Sequence, residues 1–360
     1  MDNALIEGLE NLLAGSGQPG LIELANLLKD LLAERDGPAR LLDQSALGNR
    51  GKPVFRLRFA INGGTRSVVI KRLQPDVARR NELVVKRWLP SIGLNECGTP
   101  LLGSVVARNG SAVWHVYDDL GEHELDTHEP DRERVRAAVE LVARLHTRFA
   151  GHPLLGEVRL HGGDRGIHFF EANVLDAIQA LEAVRPAPTH RELRDSLLDR
   201  LYTLRDEQPA RAAALASLDF PETLLHGDLW PINVFVIPTS GGLHARLIDW
   251  DQAAAGPLTY DLSTLLMRFP ASHRPWILEL YADAMASEGW RLPQPETLNL
   301  LLETHELARY ANCVIWPAIA IGFDGGEWGF DALEEIQRWF ATLAGDELVT
   351  CSGTLIPSSR

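Results

Sequence analysis

The segment His226-Gly227-Asp228-Leu229-Trp230-Pro231-Ile232-Asn233-Val234 sets an acid and an amide five residues apart on one short loop. Asp249 follows Asn233 by sixteen residues, inside Leu247-Ile248-Asp249-Trp250-Asp251. Apolar runs at 233–237 and 245–250 flank Pro238-Thr239-Ser240-Gly241-Gly242, a pattern that reads as a hairpin joining the two acidic segments. Side-chain oxygens gathered in this way suit Mg²⁺, which takes hard oxygen ligands and fills its shell with water and phosphate oxygens. A lone loop Asp would be read as a turn residue bonding its own backbone. The full array points to phosphate chemistry instead.

These groups need a scaffold, and the hydropathy pattern predicts one. Residues 4–14 and 21–34 have apolar residues at helical spacing. The Gly15-Ser16-Gly17-Gln18-Pro19-Gly20 between them matches GxGxxG, but it follows a helix rather than a strand and reads as a helix–helix turn. Strands are predicted at 39–47, 54–59 and 67–73, the second alternating apolar with basic residues, with Asn62-Gly63-Gly64 as a turn. A helix at 79–89 ends at Pro90, and a hairpin follows at 101–108 and 111–117, turning at Asn109-Gly110. Beyond Asp118-Asp119-Leu120-Gly121 the chain reads as mainly helical, at 131–149, at 168–217 with breaks near Pro186 and Pro188, and at 258–348. The expected division is an N-terminal helical extension at 1–38, a small lobe at 39–118, a helical lobe at 119–350 and a tail at 351–360. The fold class is α+β: a small antiparallel five-stranded lobe with one helix, then a larger, mainly helical C-terminal lobe.

His226 to Asn233 resembles the catalytic loop of the aminoglycoside phosphotransferase/choline kinase family, a branch of the protein-kinase-like fold. Leu247 to Asp251 is similar to that family's metal-binding segment, and the resemblance spans about 39–345. It implies Asp228 as the catalytic Asp for the acceptor hydroxyl, and Asn233 and Asp249 as ligands of Mg²⁺ on the phosphates of ATP or another nucleoside triphosphate. His226 would brace the loop, and Asp251 would support the metal segment. Leu141-Val142-Ala143-Arg144-Leu145-His146 is similar to the family's helix before the catalytic loop, with His146 as a packed structural residue. Asp261, in Tyr260-Asp261-Leu262-Ser263, would cap its helix or tie down the catalytic loop.

Upstream residues agree with this resemblance. The chain has four lysines against 31 arginines, and Lys71 directly follows Val68-Val69-Ile70 on a predicted strand, a costly place for an unpaired charge. Glu82 stands eleven residues later on the predicted helix. A strand lysine paired with a helix glutamate holds the α- and β-phosphates in kinase-like folds, so Lys71 and Glu82 are expected to pair. Gly48 and Gly51 lie where the family has its phosphate-covering loop, though Gly48-Asn49-Arg50-Gly51-Lys52-Pro53 is not a Walker motif. Backbone near Tyr117 would meet the adenine.

The acceptor pocket is expected among Trp230, Glu303, Glu306, Tyr310, Trp316, Asp324, Glu327 and Trp328. Carboxylates would attract a polyamine, and aromatic rings would cage a quaternary ammonium. An amino-sugar or aminoglycoside-like acceptor comes first, with a choline-, sugar- or homoserine-like metabolite as the alternative. A nucleotide-binding pseudokinase is the alternative of another class; the intact Lys71, Asp228, Asn233 and Asp249 argue against it. Zincin spacing fails, since His123 and His128 are five apart and His305-Glu306 has no second His at the fourth position onward. There is no GxSxG motif.

Composition sets the outer bounds. The 360 residues, 45% hydrophobic and 23% charged, suit one large or two modest globular domains. The formal net charge is -14. Residues 1–118 carry 15 basic and 12 acidic side chains, a net of +3, which leaves -17 for the remainder. Such a field repels nucleic acid and favours a cationic small molecule over an anionic one. Three scattered cysteines without a CxxC pair suit a reducing compartment. Met1-Asp2-Asn3 does not open a secretory signal, and the longest apolar run, 313–323, is too short to span a bilayer. The expectation is a cytoplasmic enzyme with no membrane partner. Its N-terminal helices would pack on the small lobe or make a homodimer contact.

Overall fold

The computed structural model describes residues 18–33, 39–47, 53–61, 64–218 and 220–345. The helix expected at 4–14, the loop glycines Gly48 and Gly51, the turn residues 62–63 and the tail at 351–360 lie outside these residues. The chain forms two compact units, Met1–Glu124 with Asn233–Asp251, and Leu125–Ile232 with Gln252–Arg360.

The first unit is built on a five-stranded antiparallel sheet. Its strands are β1 (Arg40–Ala46), β2 (Val54–Ile61), β3 (Gly64–Leu73), β4 (Leu101–Val106) and β5 (Val113–Asp118), in the order β1-β2-β3-β5-β4. Period-two alternation decides the faces: Leu57, Phe59, Val68 and Ile70 point into a core, and Arg56 and Arg58 point away. Helix α1 (Leu21–Ala33) covers that core with Leu24, Leu28 and Leu32, spaced four apart on one stripe. Full burial contributes about 2 kcal/mol for each such side chain. Close approach is possible because Gly103 lacks a Cβ, which would lie 2.8 Å from Leu27. Trp114 Nε1 donates to the Pro19 carbonyl at 2.9 Å and holds the start of α1. Thus α1 packs on the small sheet, one of the two placements open from sequence.

Helix α2 (Pro75–Leu83) starts earlier than the predicted 79, because Pro75 occupies the first turn, where its missing N–H costs nothing. It runs on through the π-turn Val84–Trp88 into Leu89–Ser91. The unit also takes in a distant hairpin. Strands β7 (Val234–Thr239) and β8 (Gly242–Leu247) pair from Val234↔Leu247 to Thr239↔Gly242. Leu247 donates its N–H to Cys97 at 2.8 Å, and Val236 donates to His123 at 2.8 Å, so both strands are pinned.

The second unit is mainly helical, with α3 (Arg132–Phe149), α4 (Leu155–Gly162), α5 (Ile167–Ala183), α6 (Arg191–Ala216), α7 (Thr259–Leu266), α8 (Arg274–Ser287), α9 (Pro295–Ile319) and α10 (Trp328–Gly345). Asp131 caps α3 by accepting from the Arg134 N–H at 2.8 Å. Leu141, Leu145 and Phe149 are buried along its apolar stripe. Helix α9 packs against α5, α7 and α10. Short strands β6 (Thr223–Leu225) and β9 (Ala254–Gly256) pair in this unit and lead into and out of the loops that carry the site. No helix among the described residues is long and apolar enough to cross a membrane.

Candidate active site

In the first unit, the base of the β7–β8 hairpin brings Asn233 and Asp249 together. Ile248 donates its N–H to the Asn233 carbonyl at 3.0 Å, and Trp250 Nε1 donates to the Leu247 carbonyl at 3.1 Å. Asp249 turns the chain with φ +61°, the only non-glycine with positive φ among the described residues. That backbone costs on the order of 1–3 kcal/mol. It is held by the bonds on either side.

Lys71 meets this turn from β3. Its Nζ lies 2.6 Å from Asp249 Oδ1 and 2.7 Å from Asp251 Oδ1. Burial alone would lower the ammonium pKa, but the two carboxylates outweigh it and raise it. Asp251 is pushed up by burial and by Asp249 despite Lys71, and it also accepts from Asn81 Nδ2 at 3.0 Å. Arg80 donates to the Asp251 backbone carbonyl. The carboxylate oxygens of Asp249 and Asp251 beside Asn233 are a hard donor set that fits a divalent ion beside phosphate oxygens, with Lys71 and Arg80 as the cations at hand.

The expected Lys71–Glu82 ion pair is not formed. Glu82 faces Lys86 Nζ at 3.3 Å, one helical turn on, and His115 Nε2 at 3.5 Å. Two carboxylates at the hairpin base hold the lysine more strongly than one on the helix. Burial drops the His115 ring to about 4, so it is neutral at pH 7, and its Nδ1 lies 2.8 Å from the Tyr117 hydroxyl. Burial and the carboxylates of Asp251 and Asp249 raise the Tyr117 hydroxyl. Asn81 and Arg80 did not emerge from sequence, because no motif marks a helix residue that bonds a loop 170 positions away.

In the second unit, the loop that starts at His226 hangs on Asp261. Its Oδ2 accepts the His226 N–H at 2.6 Å and its Oδ1 the Gly227 N–H at 2.9 Å. His146 Nε2 lies 3.3 Å from the same carboxylate, and its Nδ1 lies 2.7 Å from the Tyr281 hydroxyl. Burial would raise the Asp261 pKa; the His146 bond and the loop N–H groups lower it below the usual carboxylate range. Of the two roles open to Asp261, tying down the loop is the one seen, and His146 is a packed structural residue as expected. Gly227 has φ +79°, and a Cβ there would lie 1.9 Å from the Gln252 carbonyl oxygen, so only glycine fits. Asp228 is half-buried, and its carbonyl accepts the Trp230 N–H at 2.8 Å.

The acceptor-pocket candidates separate. Trp230 remains 39% exposed, with the Arg268 guanidinium 4.1 Å above its ring. Glu306 is buried on α9 and accepts from Arg268 at 3.4 Å and from Arg309. Glu303 is held by Arg211 at 3.3 Å. Tyr310 packs on Trp339 and Phe340, and burial pushes its hydroxyl up to about 12. Trp316, Asp324, Glu327 and Trp328 are exposed. Arginines were not among the sequence candidates; their abundance hid the few that matter.

The model of the phosphotransferase enzyme family, APH, matches residues 55–295. The structure resembles the GDP and kanamycin complex of APH(2")-IIia with a TM-score of 0.58 at 16% identity, covering 89% of this chain and 99% of that one. A choline/ethanolamine kinase family protein from Mesorhizobium loti gives 0.54 at 18% identity, over 91% and 97% of the two chains. The choline kinase LicA from Streptococcus pneumoniae gives 0.50 at 13%, over 89% and 99%. At such identities the likeness is one of fold, the α+β protein-kinase-like fold. No curated protein matches the sequence.

Proposed function

The chain belongs to the phosphotransferase enzyme family, and from that membership we propose an ATP- and Mg²⁺-dependent kinase that phosphorylates a hydroxyl of a small molecule. In this reading Asp228 orients the acceptor hydroxyl and takes its proton, and Lys71 engages the nucleotide phosphates. Asn233 and Asp249 would hold Mg²⁺, with Asp251 beside them; the ion neutralises phosphate charge when bound. Asp261 positions the loop that carries Asp228 and touches no substrate. Glu82 and Tyr117 belong to the nucleotide side of this reading, and Gly48 and Gly51 to its covering loop.

The observation that supports it most is the Lys71 ammonium 2.6 Å from Asp249, a contact across 178 positions between the β3 lysine and the proposed metal ligand. The acceptors expected from sequence, an amino sugar first and a choline-, sugar- or homoserine-like metabolite next, define the set to screen. A cytoplasmic location without nucleic-acid or membrane partners goes with this reading. The test is ADP release across that set with wild type and Asp228→Asn. Turnover should fall by about 10³-fold or more in the variant, with nucleotide affinity kept. An undiminished rate would remove Asp228 from the chemistry.

A further inference from the structure

Three guanidinium groups gather beside the loop that carries Asp228. Arg268 lies over Trp230, two residues past Asp228, with 4.1 Å from Cζ to the ring centroid. Arg309 lies 5.0 Å from the Tyr260 ring, and Arg165 lies 6.0 Å from the same ring. One buried carboxylate, Glu306, serves both Arg268 and Arg309. Adding Asp228, three positive charges face two negative ones. The Nε atoms of Arg268 and Arg165 are buried and have no hydrogen-bond acceptor within the protein. A buried N–H left without an acceptor costs about 1–3 kcal/mol, and the rest of the Arg268 side chain stays 19% exposed beside the Trp230 ring.

We infer that the acceptor carries an anionic oxygen group, a carboxylate or a phosphate, on the same small molecule as its reacting hydroxyl. This rests on the kinase reading above and names its substrate class. The guanidinium of Arg268, 4.1 Å over the Trp230 ring, carries the planar donor fork that binds carboxylate and phosphate oxygens. A polycationic acceptor would meet the arginine surplus, and the two α9 carboxylates expected to attract it, Glu303 and Glu306, are already paired with arginines. Glu306 is shared by two arginines, and Glu303 bonds Arg211 at 3.3 Å. The overall acidity of the chain does not describe this corner. In the transfer, the acceptor oxygen forms a bond to the γ-phosphorus as the bond from that phosphorus to the β–γ bridging oxygen breaks. ADP leaves, the hydroxyl proton passes to Asp228, and the anionic group stays on the arginines unchanged.

The test uses the full chain with ATP and Mg²⁺ and reads ADP release from matched acceptors. Glycerate and homoserine supply carboxylates, glycerol 3-phosphate supplies a phosphate, glycerol and homoserinol are neutral or lack the acid, and choline and kanamycin are cations. An acid-bearing acceptor is expected to exceed its acid-free partner by about tenfold or more in kcat/KM, the worth of one charge-assisted contact. Arg268→Gln should erase most of that ratio through KM, and Arg268→Lys should keep part of it. The carboxylate and phosphate arms tell the two sources apart. In parallel, malonate and inorganic phosphate are titrated calorimetrically into wild type and Arg268→Gln. Millimolar or tighter binding that weakens about tenfold in the variant supports the inference even without turnover. Preference for choline or kanamycin, an acid preference untouched by Arg268→Gln, or no anion binding would overturn it. Cation turnover that depends on Asp228 would leave the kinase reading standing. Anion binding without ADP release from any acceptor would count against the kinase reading alone.

Discussion

The carboxylate of Asp261 accepts the backbone N–H of Gly227 at 2.9 Å, 34 positions away and wholly buried. With the second oxygen on His226, one side chain fixes the two peptides that precede Asp228. The loop therefore owes its shape to a charge that never meets solvent.

Asp261→Asn tests that dependence. An amide offers one acceptor oxygen where two N–H groups wait, and it turns a donor toward one of them. Unfolding free energy should drop by about 3 kcal/mol. Below the melting transition, kcat should fall about 100-fold, as a small misplacement of a reacting group does, while the KM for ATP holds. Equal losses in kcat and ATP affinity would show general damage instead of loop positioning.

Lys71→Met probes the hairpin base. The ammonium neutralises Asp249 and Asp251 at 2.6 and 2.7 Å, and its removal leaves two close carboxylates. Nucleotide-free protein should then bind Mn²⁺ about tenfold more tightly, an effect that shrinks with added salt. The KM for ATP should rise at the same time. Mn²⁺ titration followed by electron paramagnetic resonance reads the first effect, and weaker or unchanged binding contradicts it.

Acid should destabilise the second unit through His305. Burial first, and the Arg309 cation second, lower its ring to about 3, while Thr259 Oγ1 lies 2.9 Å from Nε2. The unfolded ring takes a proton near 6.5, so this contribution is complete above that pH and is lost as pH falls below it. The loss is up to ~1.4 kcal/mol per pH unit. The depressed carboxyl of Asp261 adds in the same direction at lower pH. Urea midpoints at pH 7 and pH 5 should diverge more for wild type than for His305→Gln. Parallel slopes would exclude His305 as the source.

The legible features were those carried by short-range pattern. Alternation from Val54 to Phe59 gave β2 its two faces, and the five-residue gap from Asp228 to Asn233 marked the loop. Partnerships across the chain were not legible. Nothing near Lys71 says that its ammonium belongs to Asp249 rather than Glu82, since either carboxylate satisfies a buried cation. Glu306 looked like bait for a cation because its spacing cannot reveal that Arg268 stands 38 positions away and holds it. The start of α2 at Pro75 was missed because helical periodicity is weak in a first turn, where proline is tolerated.

The left-handed turn at Asp249 also narrows what that position can become. Glycine, asparagine and aspartate are the side chains that enter such a conformation readily, and aspartate is the one of the three with a full negative charge. Backbone shape and ligand chemistry thus filter position 249 separately, and their overlap is a single letter of the amino-acid alphabet. A saturation library there, sorted once for folded protein and once for turnover, would return three residues in the first sort and one in the second.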